Sequence, residues 1–249
     1  FINKFVNKNN IDLTEYEKTK YNSFNDFFIR KIKEDKRPIN KDKKTFISVS
    51  DSYLTAYNIN QDLLLNIKIN KIEVQDNGYG MSPETLYKVC QRFTSSKIKE
   101  LIKDEQLTNE YKNGLCIVFR LGADNYHHYI FPDNGKIIKN YHINGVLHTV
   151  QPIAYEKYKI FTENDREITV LKTENYDKIT YIEVGALNVG KIHNKKINEF
   201  KKGDEKGYFS FGGSTIILLL KENIIKLDKD ILENSNKNIE TKVLLGEQI

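Results

Sequence analysis

The segment with the most direct chemical potential is Gly212-Gly213-Ser214-Thr215, which leads into the apolar run Thr215–Leu220. Two glycines free the backbone to adopt conformations barred to residues with a Cβ, so the Gly213 carbonyl can be presented, strained and unshielded, to the Ser214 hydroxyl. The apolar run predicts a buried strand that holds the serine rigidly. The segment therefore predicts a peptide bond that the chain itself can attack. The competing interpretation is a Gly-rich hairpin with a surface serine.

Length and composition indicate one domain that can bury a sizeable core. The 249 residues contain no Pro/Gly/Ser-rich linker. Lys and Arg (39) exceed Asp and Glu (34), and the formal charge of +5 suits an anionic lipid surface or nucleic acid equally well. Cys90 and Cys116 are too few and too far apart for a metal-thiolate site, so no metal is predicted. No run approaches the roughly 18 apolar residues needed to cross a bilayer.

The apolar periodicity predicts an α+β fold, a β-rich single domain over residues 1–249 with an N-terminal helical segment. Ser23, with Asp26 three residues later, fits a helix-capping pair. The apolar face of that helix would comprise Phe24, Phe27, Phe28 and Ile32. Packing of this face on the core is favoured over contact with a membrane, because apolar stripes usually belong to a core.

Short apolar runs after Arg37-Pro38 predict the strands, punctuated by turns such as Pro132-Asp133-Asn134-Gly135. The runs are Leu63–Ile69, Leu115–Leu121, Ile137–His142, Lys159–Phe161, Ile168–Leu171, Ile179–Val184, Thr215–Leu220 and Ile224–Leu227. Their spacing argues against alternating βα units.

Several separated motifs occur along the chain in one order. They read FNDFFIRK at 24–31 with RPI at 37–39, SVSDS at 48–52, DNYHH at 124–128, FTENDRE at 161–167, EVGALNVG at 183–190 and KGDEKGYF at 202–209, ahead of GST at 213–215. No single motif is diagnostic. The ordered set resembles the phosphatidylserine decarboxylase family, over about residues 20–70 and 100–249.

The resemblance implies a proenzyme that cuts itself between Gly213 and Ser214 and needs no external cofactor. Ser214 would attack the Gly213 carbonyl, and elimination and hydrolysis would leave a pyruvoyl group at the start of the shorter chain. Chains 1–213 and 214–249 would stay together as a heterodimer, alone or in a larger assembly. The pyruvoyl group would serve, as pyridoxal phosphate does elsewhere, in converting phosphatidylserine to phosphatidylethanolamine. The implied partner is anionic phospholipid at the cytoplasmic face of a membrane, bound peripherally, and not nucleic acid.

Three residues carry the chemistry by resemblance. Serine is a weak nucleophile and requires a base, which in turn requires an orienting partner. Ser214 is the nucleophile and pyruvoyl precursor, His127 the base and Asp51 its orienter. For Asp51 alone an Asx turn is the commoner use, and for His127 a histidine satisfied by backbone is the alternative.

The histidine motif departs from the family pattern of Tyr-His-Arg-x-His. Here His128 replaces the arginine and Ile130 stands where a second histidine often does. Either His127 serves both as base for cleavage and as proton donor in decarboxylation, or His128 substitutes in one role. Val49 and Ser52 also replace the proline and glycine expected around Asp51.

Residues 71–98 instead resemble the Asp-x-Gly-x-Gly segment of MutL-type mismatch-repair ATPases, through Asp76, Gly78, Gly80 and the stretch at 95–97. The general-base Glu, metal-binding Asn and later lid that such an ATP site requires are not found in the sequence. A segment of about 28 residues cannot enclose a drug-sized ligand by itself. We therefore interpret residues 71–98 as an atypical surface insertion, and an ATP-binding module as the weakest of the functional hypotheses.

Two functional classes compete more closely: a self-processing decarboxylase, and a catalytically impaired relative that only binds lipid. The joint presence of Asp51, His127 and the Gly-Gly-Ser-Thr segment favours the enzyme. A chain freed from catalysis has no physical reason to keep a strained Gly-Gly pair before the serine.

The ATPase-like segment generates the first prediction. Asp76→Asn should leave decarboxylation unchanged, and the protein should bind ATP no more tightly than about millimolar, because the rest of an ATP site is missing. Equilibrium titration with labelled ATP measures this. Saturable micromolar binding that disappears in Asp76→Asn would promote the ATP-binding hypothesis instead.

Overall fold

The computed structural model describes residues 1–59, 95–149, 159–186, 191–210 and 214–249. Its strands are β1 Ser52–Asn58, β2 Leu115–Leu121, β3 His128–Ile130, β4 Gly135–Ile143, β5 Arg166–Thr173, β6 Lys178–Val184, β7 Ile192–Asn194, β8 Glu199–Phe200, β9 Glu205–Phe209, β10 Ser214–Leu220 and β11 Thr241–Val243. Its helices are α1 Ile2–Lys8, α2 Phe24–Phe28, α3 Ser95–Ile102, α4 Glu105–Glu110, α5 Ile160–Glu163 and α6 Lys229–Asn236, with 3₁₀ turns at Leu13–Glu15 and Glu34–Lys36.

The strands form two antiparallel sheets. The larger has the order β11-β1-β2-β10-β6-β5-β4-β8, and the smaller has the order β3-β9-β7. This mostly antiparallel sheet structure with few helices confirms the predicted β-rich α+β class.

Strand β10 lies in the middle of the larger sheet, paired with β2 on one side and β6 on the other. Every residue from Ser214 to Leu220 is buried. A strand covered on both faces is expected to be apolar throughout rather than alternating, as Ile216–Leu220 is. Each fully buried Leu or Ile contributes about 1.5–3 kcal/mol relative to an exposed one, so β10 anchors the sheet.

One face of the larger sheet packs against the smaller sheet. Side chains of the smaller sheet and of its neighbouring segments, Tyr129, Phe131 and Phe209, share a core with Ile216 and Leu218 of β10. We call this the inner face. Because side chains alternate along a strand, Ser214 lies on the same face as Ile216 and Leu218.

The opposite face of the larger sheet is covered by α3 and α4. Ile98, Leu101 and Leu107 pack with Ile182 and Ile217 of the sheet. Buried Arg166 ties the layers together, since its Nε donates to the Leu101 carbonyl at 2.7 Å.

The predicted N-terminal cap is confirmed, but its helix is shorter than expected. The Ser23 hydroxyl accepts a hydrogen bond from the Asp26 N–H at 3.0 Å, and α2 ends at Phe28. Phe27 and Phe28 are fully buried, which confirms the core interpretation for these residues. The placement of Ile32 on the helix is wrong. The chain there is extended and bridges to Tyr16, which diverts its backbone hydrogen bonds from a helix.

Most predicted strands within the described residues are confirmed, and two are wrong. The run at 159–161 begins helix α5, and the run at 224–227 precedes α6 without forming a strand. Ile160 and Leu227 are nevertheless buried. Their apolar character marks core contact, and short apolar runs do not by themselves distinguish a strand from other buried segments. The predicted strand at 63–69 lies outside the described residues.

Within the described ranges, no helix combines the length and apolar character that crossing a membrane requires.

Candidate active site

Ser214 is the first residue of β10 and lies opposite Leu121, the last residue of β2. Its side chain is fully buried, and its Oγ has no hydrogen-bond partner among the described residues. A buried hydroxyl without a partner is costly and suggests a use other than stability. Gly212 and Gly213 lie outside the described residues, so the predicted strain before the serine stays a prediction.

Two chain segments bring His127 to the same end of the larger sheet. From Leu121, opposite Ser214, the chain turns tightly, with the Asn125 N–H donating to the Gly122 carbonyl at 3.0 Å, and reaches His127 two residues later. In the smaller sheet, the Phe209 N–H donates to the His127 carbonyl at 3.0 Å, five residues before Ser214. His127 is therefore linked to the surroundings of Ser214 from both directions along the chain.

The His127 ring has a defined tautomer. Its Nδ1 lies 2.9 Å from the Asn125 carbonyl oxygen. Because a carbonyl can only accept, Nδ1 carries the proton, and in the neutral ring Nε2 is then an unprotonated acceptor. Nε2 is buried without a partner among the described residues. A bare, positioned imidazole nitrogen is what a general base requires.

Arg30 holds the turn that orients His127. It is almost fully buried, and its guanidinium donates to the carbonyls of Asp124 at 2.8 Å and Asn125 at 3.2 Å. The Asn125 carbonyl thus accepts from both Arg30 and His127. The guanidinium also stacks over the Phe27 ring, 4.3 Å from its centroid, so the N-terminal helix supports the turn.

Burial keeps His127 neutral. Complete burial, with a smaller contribution from the Arg30 charge, lowers the pKa of His127 to about 3. The ring therefore stays neutral near pH 7, with Nε2 unprotonated.

His128 has a different environment. Its Nδ1 lies 2.9 Å from Glu205 Oε2 and its Nε2 lies 3.2 Å from the Ile29 carbonyl, while its ring stacks between Tyr126 and Tyr208. Burial opposes ionisation of Glu205, but the hydrogen bonds and charges of His128 and Lys195 hold its pKa at about 2. Both ring nitrogens of His128 are occupied, which fits a structural role better than that of a second base.

Asp51 directly precedes β1 at this same end of the sheet, but its partner is an arginine. Arg37 contacts the carboxylate through Nε at 2.9 Å and a terminal nitrogen at 2.7 Å, and the Leu245 N–H donates to it at 2.8 Å. The start of β1 lies two strand spacings, about 10 Å, from the start of β10. In the structure the Asn125 carbonyl accepts the hydrogen bond from His127 Nδ1, whereas the resemblance implies Asp51 as that acceptor. A catalytic role for Asp51 stays a prediction.

The sequence does not by itself point to four residues near this site, namely Arg30, Arg37, Ser50 and Asn125. Arg30 and Arg37 lie in the motifs at 24–31 and 37–39, which do not reveal their partners, and Asn125 acts through its backbone carbonyl, which residue type does not reveal. Ser50 is buried beside Asp51, and its hydroxyl lacks a partner among the described residues.

Comparisons with known proteins agree on one family. A family model described as Phosphatidylserine decarboxylase matches residues 24–249, and this range runs through residues 71–98. "Phosphatidylserine decarboxylase proenzyme 2" of Clostridium acetobutylicum is 51% identical over 248 residues, covering 100% of this chain and 77% of that protein. "Phosphatidylserine decarboxylase proenzyme" of Clostridium tetani is 43% identical over 257 residues, covering 100% and 77%. The protein of the same name from Clostridium botulinum strain Langeland is 41% identical, covering 100% and 78%.

The two histidine environments generate a prediction. His127→Ala and His127→Gln should both block chain cleavage, because each removes the unprotonated ring nitrogen, whereas His128→Gln should leave cleavage intact. Asp51→Asn should slow cleavage, because it weakens the bond to Arg37 at this end of the sheet. Denaturing gels give the cleaved fraction over time, and circular dichroism checks folding. Cleavage that stops in His128→Gln but proceeds in both His127 variants would show that the wrong histidine has been assigned.

The lowered pKa of His127 generates a pH prediction. The cleavage rate should change less than about twofold between pH 8 and pH 5, because the ring stays neutral. A base with the ordinary histidine pKa of about 6.5 would lose about thirtyfold. Since the unfolded state binds the proton more readily, His127 destabilises the fold as pH falls from about 6.5 toward 3, so each sample needs a folding control. A steep loss of rate centred near pH 6.5 in folded protein would contradict this assignment.

Proposed function

This chain belongs to the phosphatidylserine decarboxylase family and is an enzyme that decarboxylates phosphatidylserine, and we propose that it does so after cutting itself between Gly213 and Ser214. The observation that carries the proposal is the pair of buried, unpartnered atoms at one end of the larger sheet, Ser214 Oγ and His127 Nε2. One is a nucleophile without a hydrogen bond, and the other is a neutral base without a proton.

The attack on the peptide bond uses groups of the chain alone, and water enters only after the chain is cut. Nε2 of His127 takes the proton as the Ser214 hydroxyl attacks the Gly213 carbonyl and converts the peptide bond to an ester. Elimination across the serine Cα–Cβ bond then frees the Gly213 carboxylate and leaves a dehydroalanine. Water replaces its nitrogen, which departs as ammonia, and residue 214 becomes a pyruvoyl group.

The surroundings of Ser214 fit such a group. Its buried, unpartnered hydroxyl shows that this position is shielded from water, and the paired backbones of β2 and β6 hold Thr215 in place. When formed, the pyruvoyl ketone would supply the electron sink for the electron pair that stays on the substrate carbon as carbon dioxide leaves. His127 Nε2 would take the proton that the substrate ammonium gives up on joining this group, and return it to the substrate carbon after carbon dioxide leaves.

The two chains are proposed to remain one molecule after cleavage. Residues 214–249 contain β10, which pairs with β2 and β6, and β11, which pairs with β1. Ile249, the last residue, is buried in the inner-face core. Separation would expose the fully buried strand β10, which favours a stable heterodimer.

A peripheral position at the cytoplasmic face of a membrane is proposed for the folded protein. The half-buried Phe5 of helix α1 packs edge-on against the half-buried Phe24. Lys4 and Lys8 lie on the same helix α1. Aromatic side chains with basic neighbours and a net charge of +5 suit an anionic lipid surface.

Intact mass under denaturing conditions tests the proposal. The parent protein should yield two chains, and the shorter should be lighter than residues 214–249 by one ammonia. Ser214→Ala should remain a single chain and release no CO₂ from phosphatidylserine. Ser210→Ala, a matched change four residues earlier, should behave as the parent.

A parent protein that stays in one piece after prolonged incubation contradicts self-cleavage. If that uncut protein binds phosphatidylserine vesicles without releasing CO₂, the catalytically impaired lipid-binding relative is the correct alternative.

A further inference from the structure

A cavity of about 600 Å³ opens on the inner face of the larger sheet. Its floor comes from β4 and β5, including Asn140, His142, Glu167 and Thr169, and its wall is formed by β7 and the segment that follows it. This volume lies within the range of small-molecule binding sites. Neither Ser214, His127 nor Asp51 lines it.

The cavity is cationic. Four lysines line it, namely Lys191, Lys195, Lys196 and Lys206, against the two carboxylates of Asp165 and Glu167. Both carboxylates are already occupied by His142, whose ring nitrogens each lie 3.0 Å from one of them. These contacts raise the pKa of His142 although burial opposes protonation. Lys206 and Lys195 are paired in turn with Glu183 and, at 3.2 Å, with Glu205, so Lys191 and Lys196 supply the positive charge of the cavity that no described carboxylate offsets.

Its innermost lysine is fixed in place. Lys206 is 2% exposed and pairs with Glu183, which is fully buried. Its ammonium also lies 4.9 Å from the centroid of the Tyr181 ring. The pair and the ring fix the ammonium in place, and Glu183 offsets its charge. Lys206 therefore offers an anion that reaches this end of the cavity a positioned N–H donor, with little entropy lost in ordering it.

The cavity and Ser214 share one face of the sheet. A row of paired residues crosses the strands, from Ile216 on β10 through Glu183 on β6 and Glu167 on β5 to His142 on β4. Ser214 lies two residues before Ile216. Ser214 is separated from Glu183 by one strand spacing across the sheet and two residues along the strand, so their Cα atoms lie about 8 Å apart.

We propose that this cavity binds the phosphodiester of the phosphatidylserine headgroup, with Lys206 at its inner end and Lys191 and Lys196 at its opening. This rests on the proposed function of Ser214. In phosphatidylserine four covalent bonds join the amine nitrogen to phosphorus, about 5 Å when extended. An amine held at residue 214 thus brings the phosphate oxygens close to the Lys206 end. Lysine ammonium groups bind phosphate as point charges.

The test removes two lysines at the opening, whose side chains are exposed. Lys191→Ala/Lys196→Ala should raise KM for phosphatidylserine in mixed detergent micelles about tenfold, leave kcat within about twofold and leave chain cleavage unchanged. The matched control is Lys237→Ala/Lys242→Ala, which removes the same charge from exposed positions far along the chain in α6's C-cap and β11. It should keep the parent KM.

A water-soluble probe distinguishes recognition of the whole headgroup from recognition of phosphate alone. The ³¹P resonance of glycerophosphoserine should broaden in the presence of the Ser214→Ala protein. The broadening should be absent when that protein also carries Lys191→Ala and Lys196→Ala. Inorganic phosphate should compete at least tenfold less well. Equal competition by inorganic phosphate would overturn the headgroup assignment. So would an unchanged KM, or the same rise in KM in the control.

The two proposals can fail separately. If the parent protein neither cleaves itself nor releases CO₂, the proposed function fails, and the ³¹P measurement alone decides the cavity. If cleavage and decarboxylation proceed but KM is insensitive to the two lysines, the cavity assignment fails and the proposed function stands.

Discussion

The hydrogen bond between His127 Nδ1 and the Asn125 carbonyl is the constraint on which the site depends. It fixes the proton on Nδ1 and leaves Nε2 as a bare acceptor in a buried setting. The same carbonyl accepts from Arg30, so the ring, the turn and the N-terminal helix are held as one unit. Arg30, far from Ser214 in sequence, thereby helps to decide whether the proposed base is available.

The two arginines of the N-terminal region serve parallel purposes at this end of the sheet. Arg30 secures the turn before β3, and Arg37 secures Asp51 at the start of β1. Each is nearly buried, and each donates to acceptors that would otherwise be left unsatisfied. At Arg37, removing one partner of the ion pair with Asp51 costs more than the pair contributes, because the remaining charge stays buried. Both arginines of the N-terminal region thus support the candidate active site.

Charge on the inner face is organised in a row that runs away from the serine. Glu183 and Lys206 lie nearest, followed by Glu167 and His142. The Glu183–Lys206 pair is expensive to bury, and a sheet built for stability alone would be expected to carry apolar side chains there, as β10 does. The cost is understandable if an anionic headgroup has to be received within reach of Ser214.

The sequence alone determined the family and several of the local elements. The ordered motifs indicated the family, the apolar run after Ser214 predicted β10, and Ser23 with Asp26 predicted the start of α2, because these signals are local in the chain. Tertiary structure decided the partners. It diverted Ile32 into an extended pairing, made Ile160 part of a helix, and put the Asn125 carbonyl rather than Asp51 on the His127 ring. Backbone acceptors, buried ion pairs and the meeting of distant strands depend on how segments pack. Residue type and spacing along the chain therefore do not reveal them.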